Sequence, residues 1–136
     1  MKTNLTAIQN VFLMVSGTLL IVIGMSIFLS TDDFYSSNNI DIEANVSLLN
    51  ELKASAGLLL AAGIFIIYSV FKKYHNVGLK LTMLIYLSYA GARGISIVAD
   101  GVPASGLVLA TLLEAAIGLI SLLLLLTSSR SINKVV

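Results

Sequence analysis

The chain has 136 residues, of which 57% are hydrophobic and 11% charged, and its formal net charge is +1. A soluble domain carries about 25% charged residues, so this composition excludes a water-soluble globular protein and indicates a single membrane domain over residues 1–136. The chain has no cysteine and one histidine, His75, which excludes disulfides, thiolate chemistry and paired-histidine metal sites.

Four apolar runs follow one another along the chain, at about residues 7–29, 55–71, 79–99 and 104–127. Each is close to the length of about 20 residues that a helix needs to cross a hydrocarbon core of about 30 Å. The runs lack the alternation of membrane strands, and a closed barrel needs more strands than this chain can supply. The sequence therefore predicts an all-α integral membrane protein, an antiparallel bundle of four transmembrane helices. The first run is longer than the apolar core of a signal peptide, so we expect it to be retained.

The connections between the runs differ in charge and length. We predict an acidic loop over residues 30–52, with a short amphipathic helix at 46–52 inside it. The next connection, 71–80, is short and basic, and Gly101 and Pro103 predict a tight turn before the last helix. We interpret four acidic side chains of the loop as solvated, since their spacing is not that of a calcium-binding EF-hand; they are Asp32, Asp33, Asp41 and Glu43.

Basic residues concentrate on one side of the predicted bundle. When successive helices cross in opposite directions, six basic residues fall on one side and only Lys53 on the other. The positive-inside rule then places both termini in the cytoplasm and the acidic loop outside it. The six residues are Lys2, Lys72, Lys73, Lys80, Arg130 and Lys134, and we expect all of them except Lys2 to touch lipid headgroups.

The last two runs carry the polar residues that are candidates for a site. On the third run they recur at spacings of three and four, which places them on one face of a helix. On the fourth run Glu114 shares a face with small residues, which let membrane helices approach closely. The first face carries Thr82, Tyr86, Tyr89, Arg93, Ser96 and Asp100, and the second Gly106, Ala110, Glu114 and Gly118.

Arg93 and Glu114 are predicted to contact each other inside the bundle. In an antiparallel hairpin they lie about 12 and about 16 Å below the turn that joins their helices. A charge at the bilayer centre costs at least about 2.5–3.5 kcal/mol, which favours pairing of the two. We expect the rest of the polar core to comprise Tyr86, Tyr89, Asp100, Lys53 and Glu51, and the opposite half of the bundle to be closed by aliphatic packing.

Several of these residues together resemble the domain-of-unknown-function 4345 family of small bacterial four-helix membrane proteins. They are Glu51-Leu52-Lys53 before a glycine-rich helix, Gly91-Ala92-Arg93, Asp100-Gly101-x-Pro103 and Glu114 in the last helix. The resemblance covers about residues 51–126. It departs at Lys53, where the family has an arginine, and at Ala92, which separates Gly91 from Arg93. The resemblance implies a bacterial inner-membrane location and no established activity.

Motifs of enzymes are missing from the sequence. It has no glycine-rich phosphate loop, no His-Glu-x-x-His and no Gly-x-Ser-x-Gly. We therefore predict no enzyme, no catalytic residue, no cofactor, no metal site and no nucleic-acid partner.

Two functions remain open. The first is a binding or sensing module for a small anionic or amphipathic ligand, whose site at Arg93 and Glu114 opens to the extracytoplasmic side. The second is a structural or accessory subunit in which this pair clamps two helices. A component of a proton-coupled transporter is a third alternative. The expected partners are membrane lipids, and a homo-oligomer is left open.

Overall fold

The computed structural model describes residues 2–42 and 45–133, and the side chains of residues 5–42 and 45–128. These residues form five helices and no strand: α1 (Lys2–Leu29), α2 (Thr31–Ser36), α3 (Val46–Phe71), α4 (His75–Asp100) and α5 (Ser105–Asn133). Four of them, α1, α3, α4 and α5, are long and apolar enough to cross a membrane, which confirms the predicted fold class. The predictions made for Lys2, Glu43, Arg130 and Lys134 concern side chains outside this description.

The acidic segment is more helical than predicted. α3 begins at Val46, so the short helix expected at 46–52 is the start of the membrane helix itself. The side chain of Asn45 explains this beginning, because its oxygen accepts hydrogen bonds from the backbone N–H groups of Ser47 at 3.0 Å and Leu48 at 3.2 Å, as an N-cap does. The sequence reading also missed α2, which follows α1 after the single residue Ser30.

Residues with positive φ angles mark both turns of the second half of the chain. Gly101 ends α4 with φ +106°, and Pro103 lies two residues before α5 rather than in its first turn. Lys73, two residues after the end of α3, is in the left-handed conformation, with φ 59°. Its N–H bonds to the carbonyl of Val70, and the N–H of Tyr74 bonds to the carbonyl of Ser69, the pattern of a Schellman motif.

The four long helices associate as two antiparallel pairs, α1 with α3 and α4 with α5. Glycines bring the first pair into backbone contact, since a Cβ atom built on Gly63 would lie 2.6 Å from the carbonyl oxygen of Gly17. About two turns along, a Cβ atom built on Gly24 would lie 3.0 Å from the carbonyl oxygen of Ala56. Small residues of this kind let membrane helices gain dispersion energy where no hydrophobic drive exists.

The two pairs meet most closely at the end of the bundle that holds the basic turn 72–74, here called the basic end. Gly78 of α4 lies against Ser69 of α3 and Leu13 of α1, and the side chains of Leu13, Ile66 and Leu79 are fully buried. The opposite end, which holds α2 and the turn 101–104, is called the cap end.

The half of the bundle near the basic end contains buried hydroxyls in addition to the aliphatic packing that the sequence predicts there. Ser69 and Thr82 are buried, and each hydroxyl donates to a carbonyl of its own helix. Ser121 is also buried, and its hydroxyl donates across the interface to the carbonyl of Leu79 at 2.8 Å. Because these groups are satisfied internally, they can lie in an apolar environment at little cost.

We expect Gly63→Ala to destabilise the protein by about 1–3 kcal/mol, because the added methyl group must push the backbone of α1 away. Gly57→Ala is the matched control on the same helix, since a Cβ atom there meets nothing within 4 Å. Thermal unfolding in detergent, followed by circular dichroism, measures both. Equal midpoints for the two variants would refute the close approach of α1 and α3.

Candidate functional site

A cavity of about 380 Å³ lies between the two helix pairs near the cap end. Each of the four long helices contributes to its wall, and so does the segment that begins with α2. Most of the wall is aliphatic. The apolar lining is formed by residues including Leu20, Ile23, Ile27, Leu59, Ile85 and Leu107, and the polar lining by Tyr35, Asn38, Ser55, Tyr86, Tyr89, Arg93 and Glu114.

Arg93 and Glu114 form an ion pair in the wall of this cavity. The Nε atom of Arg93 lies 3.1 Å from Oε2 of Glu114, and the side chains are 33% and 16% exposed. The predicted contact is therefore confirmed. Both atoms are buried, yet they are not aligned as a hydrogen bond and have no other hydrogen-bond partner within residues 5–42 and 45–128. The pair thus keeps hydrogen-bonding capacity that a molecule in the cavity could use.

The two tyrosines of α4 differ in how firmly they are held. Tyr86 is 4% exposed, and its hydroxyl donates to the backbone carbonyl of Ser16 on α1 at 2.7 Å. This bond joins the two helix pairs at the floor of the cavity. Tyr89, one turn nearer the cap end, is half-buried and also lines the cavity. Of the two hydroxyls, that of Tyr89 is the better placed to meet a ligand.

The segment from Phe34 to Ile40 covers the cavity at the cap end. Phe34 and Tyr35 pack edge to face with ring centroids 5.3 Å apart, and both line the cavity. Asn38 contacts Gly106 at the start of α5. Burial raises the pKa of the Tyr35 phenol above its ordinary value; Tyr89 raises this pKa further and Arg93 lowers it. Sequence reasoning missed these residues, although adjacent aromatics in an otherwise polar segment were a signal for a buried cap.

Three of the residues predicted for the polar core lie away from the cavity. Glu51, Lys53 and Asp100 are exposed and are not among the lining residues. Asp100 instead accepts a hydrogen bond from the hydroxyl of Ser96 at 2.9 Å, within its own helix. The start of α3 reaches the cavity through Ser55. The positive charge at the site therefore comes from Arg93 and not from Lys53.

Comparison with known families gives one match. The model of the family described as "Domain of unknown function (DUF4345)" matches residues 8–125. This match confirms the resemblance seen in the sequence and extends it through the first membrane helix. No curated protein and no solved structure matches the chain.

A double-mutant cycle should detect coupling between the two charges. We expect Arg93→Met and Glu114→Gln each to lower the free energy of unfolding by about 1–3 kcal/mol, since each leaves the partner's charge uncompensated in a largely apolar wall. The double variant should lose less than the sum, with a coupling energy of about 0.5–3 kcal/mol. Reversible unfolding in mixed detergent micelles gives all four values. Strict additivity would mean that the contact contributes nothing.

Proposed function

Since the chain belongs to the DUF4345 family, whose function is unknown, we propose a function from the geometry of the cavity: the protein is a small membrane module that binds an amphipathic molecule. The cavity carries this proposal. Its volume of about 380 Å³ falls within the range of about 300–1,000 Å³ that small-molecule sites occupy. An aliphatic wall with a few convergent polar groups is also the usual lining of such sites.

The lining has an apolar region and a polar region, which match the hydrocarbon body and the polar headgroup of an amphipathic ligand. Leu20, Ile23 and Ile27 of α1 offer an aliphatic wall for a hydrocarbon body. The ion pair and Tyr89 lie on the other side, from α4 and α5. A headgroup that accepts from the guanidinium and donates to the carboxylate would complete the hydrogen bonds that Arg93 and Glu114 lack.

The charge of the headgroup follows from the pairing of Arg93. Because Glu114 neutralises the guanidinium and Lys53 lies outside the cavity, a strongly anionic group would have to compete with the carboxylate. A hydroxyl or carboxylic acid headgroup suits the pair better than a phosphate. This narrows the ligand expected from the sequence, because Lys53 adds no second cation to the site.

An accessory role is the second candidate. The Arg93–Glu114 pair joins α4 to α5, and such a polar contact can serve only to hold two membrane helices together. The two candidates differ in what the cavity does. Filling it abolishes binding of an amphiphile under the first and changes nothing under the second. Neither role needs catalysis, and we propose a function without an enzymatic step.

We further propose that the protein lies in a bacterial inner membrane with both termini in the cytoplasm. The exposed side chains of Lys72, Lys73 and Lys80 lie at the basic end, whereas Asp32 and Asp100 lie at the cap end. The positive-inside rule places the basic end in the cytoplasm. The cavity then lies in the extracytoplasmic half, beneath the segment 34–40.

Filling the cavity should remove ligand binding. We expect Ala110→Leu, which places a larger side chain in the cavity wall, to weaken binding of decanol at least about tenfold, the factor that 1.4 kcal/mol represents. Ala116→Leu on the exposed face of the same helix is the control and should bind as the wild type does. Native mass spectrometry of the detergent-solubilised protein counts the bound molecules. Equal binding by both variants would reject the cavity as the site and favour the accessory role.

Single cysteines test the orientation, because the chain has none of its own. Cysteine placed at Asp32 should react with a membrane-impermeant maleimide added to intact cells, and cysteine placed at Asn76 should react only after lysis. Both positions are exposed. The opposite pattern would invert the protein in the membrane and turn the cavity toward the cytoplasm.

A further inference from the structure

A second, more open pocket lies at the basic end, on the far side of the bundle from the cavity. Its volume is about 390 Å³. It is lined by α1, by the turn between α3 and α4, and by α5, through Thr6, Gln9, Lys73, Tyr74, His75, Asn76, Val77 and Ser128. Among the side chains that the structure describes, this lining contains a cation and several hydrogen-bonding groups but no carboxylate. We propose that this pocket binds a phosphate-type oxyanion.

The first observation is a helix N-terminus that faces the pocket. α4 begins at His75, and its N-cap residue Tyr74 makes no capping hydrogen bond with its side chain. The first turn of a helix leaves backbone N–H groups without intrahelical acceptors, and the helix dipole adds a partial positive charge there. α4 has 26 residues, so its dipole is fully developed. Such a terminus attracts anionic oxygens.

The second observation is independent of the first and comes from α1. Gln9 is only 4% exposed, lines the pocket, and has an amide nitrogen without a hydrogen-bond partner anywhere in the described part of the chain. A buried amide donor is costly when it lacks an acceptor. The adjacent Asn10 is engaged, since its side-chain oxygen lies 2.6 Å from Nε2 of His75. That contact holds α1 against the start of α4, so Gln9 and the helix N-terminus lie at one pocket.

The third observation concerns the choice between two neighbouring lysines. Lys73 adopts the left-handed conformation of the Schellman motif, with φ 59°, and lines the pocket. Lys72 does not line it and instead lies over the ring of Tyr68, with Nζ 5.7 Å from the centroid. The turn therefore presents one of its two adjacent charges to the pocket. An oxyanion would meet Lys73, Gln9 and the N-terminus of α4 together.

The oxyanion could come from either of two sources. One is the phosphodiester of an anionic lipid, since the basic end of a bundle that spans a membrane lies at the level of the lipid headgroups. The other is a soluble phosphate. The experiment uses phosphatidylglycerol and inorganic phosphate as separate probes of the full-length protein in detergent. Native mass spectrometry counts bound lipid, and isothermal titration calorimetry measures phosphate. Binding of the lipid alone assigns the pocket to a headgroup, and binding of inorganic phosphate assigns it to a soluble anion.

Lys73→Asn and Lys72→Asn form the matched pair of variants. Each removes one positive charge from the same turn, and asparagine tolerates the left-handed conformation that position 73 requires. We expect Lys73→Asn to weaken binding of the responsive probe about tenfold, as the loss of one charge-assisted contact does. Lys72→Asn should stay within about twofold of the wild type, since only diffuse attraction is lost.

Gln9→Leu supplies a second and chemically different test. It keeps the size of the side chain but removes the amide donor, so we expect weaker binding with no loss of thermal stability. Should this variant fail to fold, Lys73→Asn and Lys72→Asn still decide the matter. Equal weakening by the two lysine variants would mean that the anion is attracted to the surface and not held in the pocket. No binding of either probe by the wild-type protein would also overturn the proposal.

Discussion

The contact between the backbones of α1 and α3 is the constraint on which the rest of the structure depends. Gly17 and Gly63 leave no room between the two helices for a single additional carbon atom. The pair therefore acts as one rigid wall, and α4 with α5 forms the second. Near the basic end the two walls touch through Gly78, Ser69 and Leu13. Toward the cap end the two walls separate, and a cavity remains between them.

The buried polar groups of the bundle fall into two classes, those that have a hydrogen-bond partner and those that lack one. Buried hydroxyls such as those of Ser69 and Thr82 bond to a carbonyl of their own helix. Among the side chains that the structure describes, three buried polar atoms lack such a partner, and they belong to Gln9, Arg93 and Glu114. Each of these residues lines one of the two pockets. Unsatisfied groups are costly in an apolar interior, so their concentration at the two pockets supports the binding that is proposed for each.

The two pockets differ because the ends of the bundle differ. At the cap end the wall is mostly aliphatic, the charges of Arg93 and Glu114 cancel, and Tyr35 and Phe34 cover the opening. At the basic end the lining is polar, and within residues 5–42 and 45–128 it places no carboxylate beside Lys73. One therefore suits a molecule with a hydrocarbon body, and the other suits an anion. Because Tyr86 closes the cavity floor through its bond to Ser16, the two sites are separated by packed protein.

The sequence by itself determined the four membrane helices, their antiparallel order and the contact of Arg93 with Glu114. These features follow from regular geometry, since hydrophobic length, helical spacing and rise per residue are all local quantities. Tertiary structure alone decided that α2 caps the bundle, that Lys53 and Asp100 stay outside the cavity, and that Gln9 lies beside the start of α4. These placements depend on how each helix is rotated and shifted along its neighbour. Contacts between distant residues fix both quantities: Asn10 contacts His75, 65 residues away, and Ser16 contacts Tyr86, 70 residues away. No periodicity within one helix encodes such an offset, because it results from how side chains of distant segments fit together.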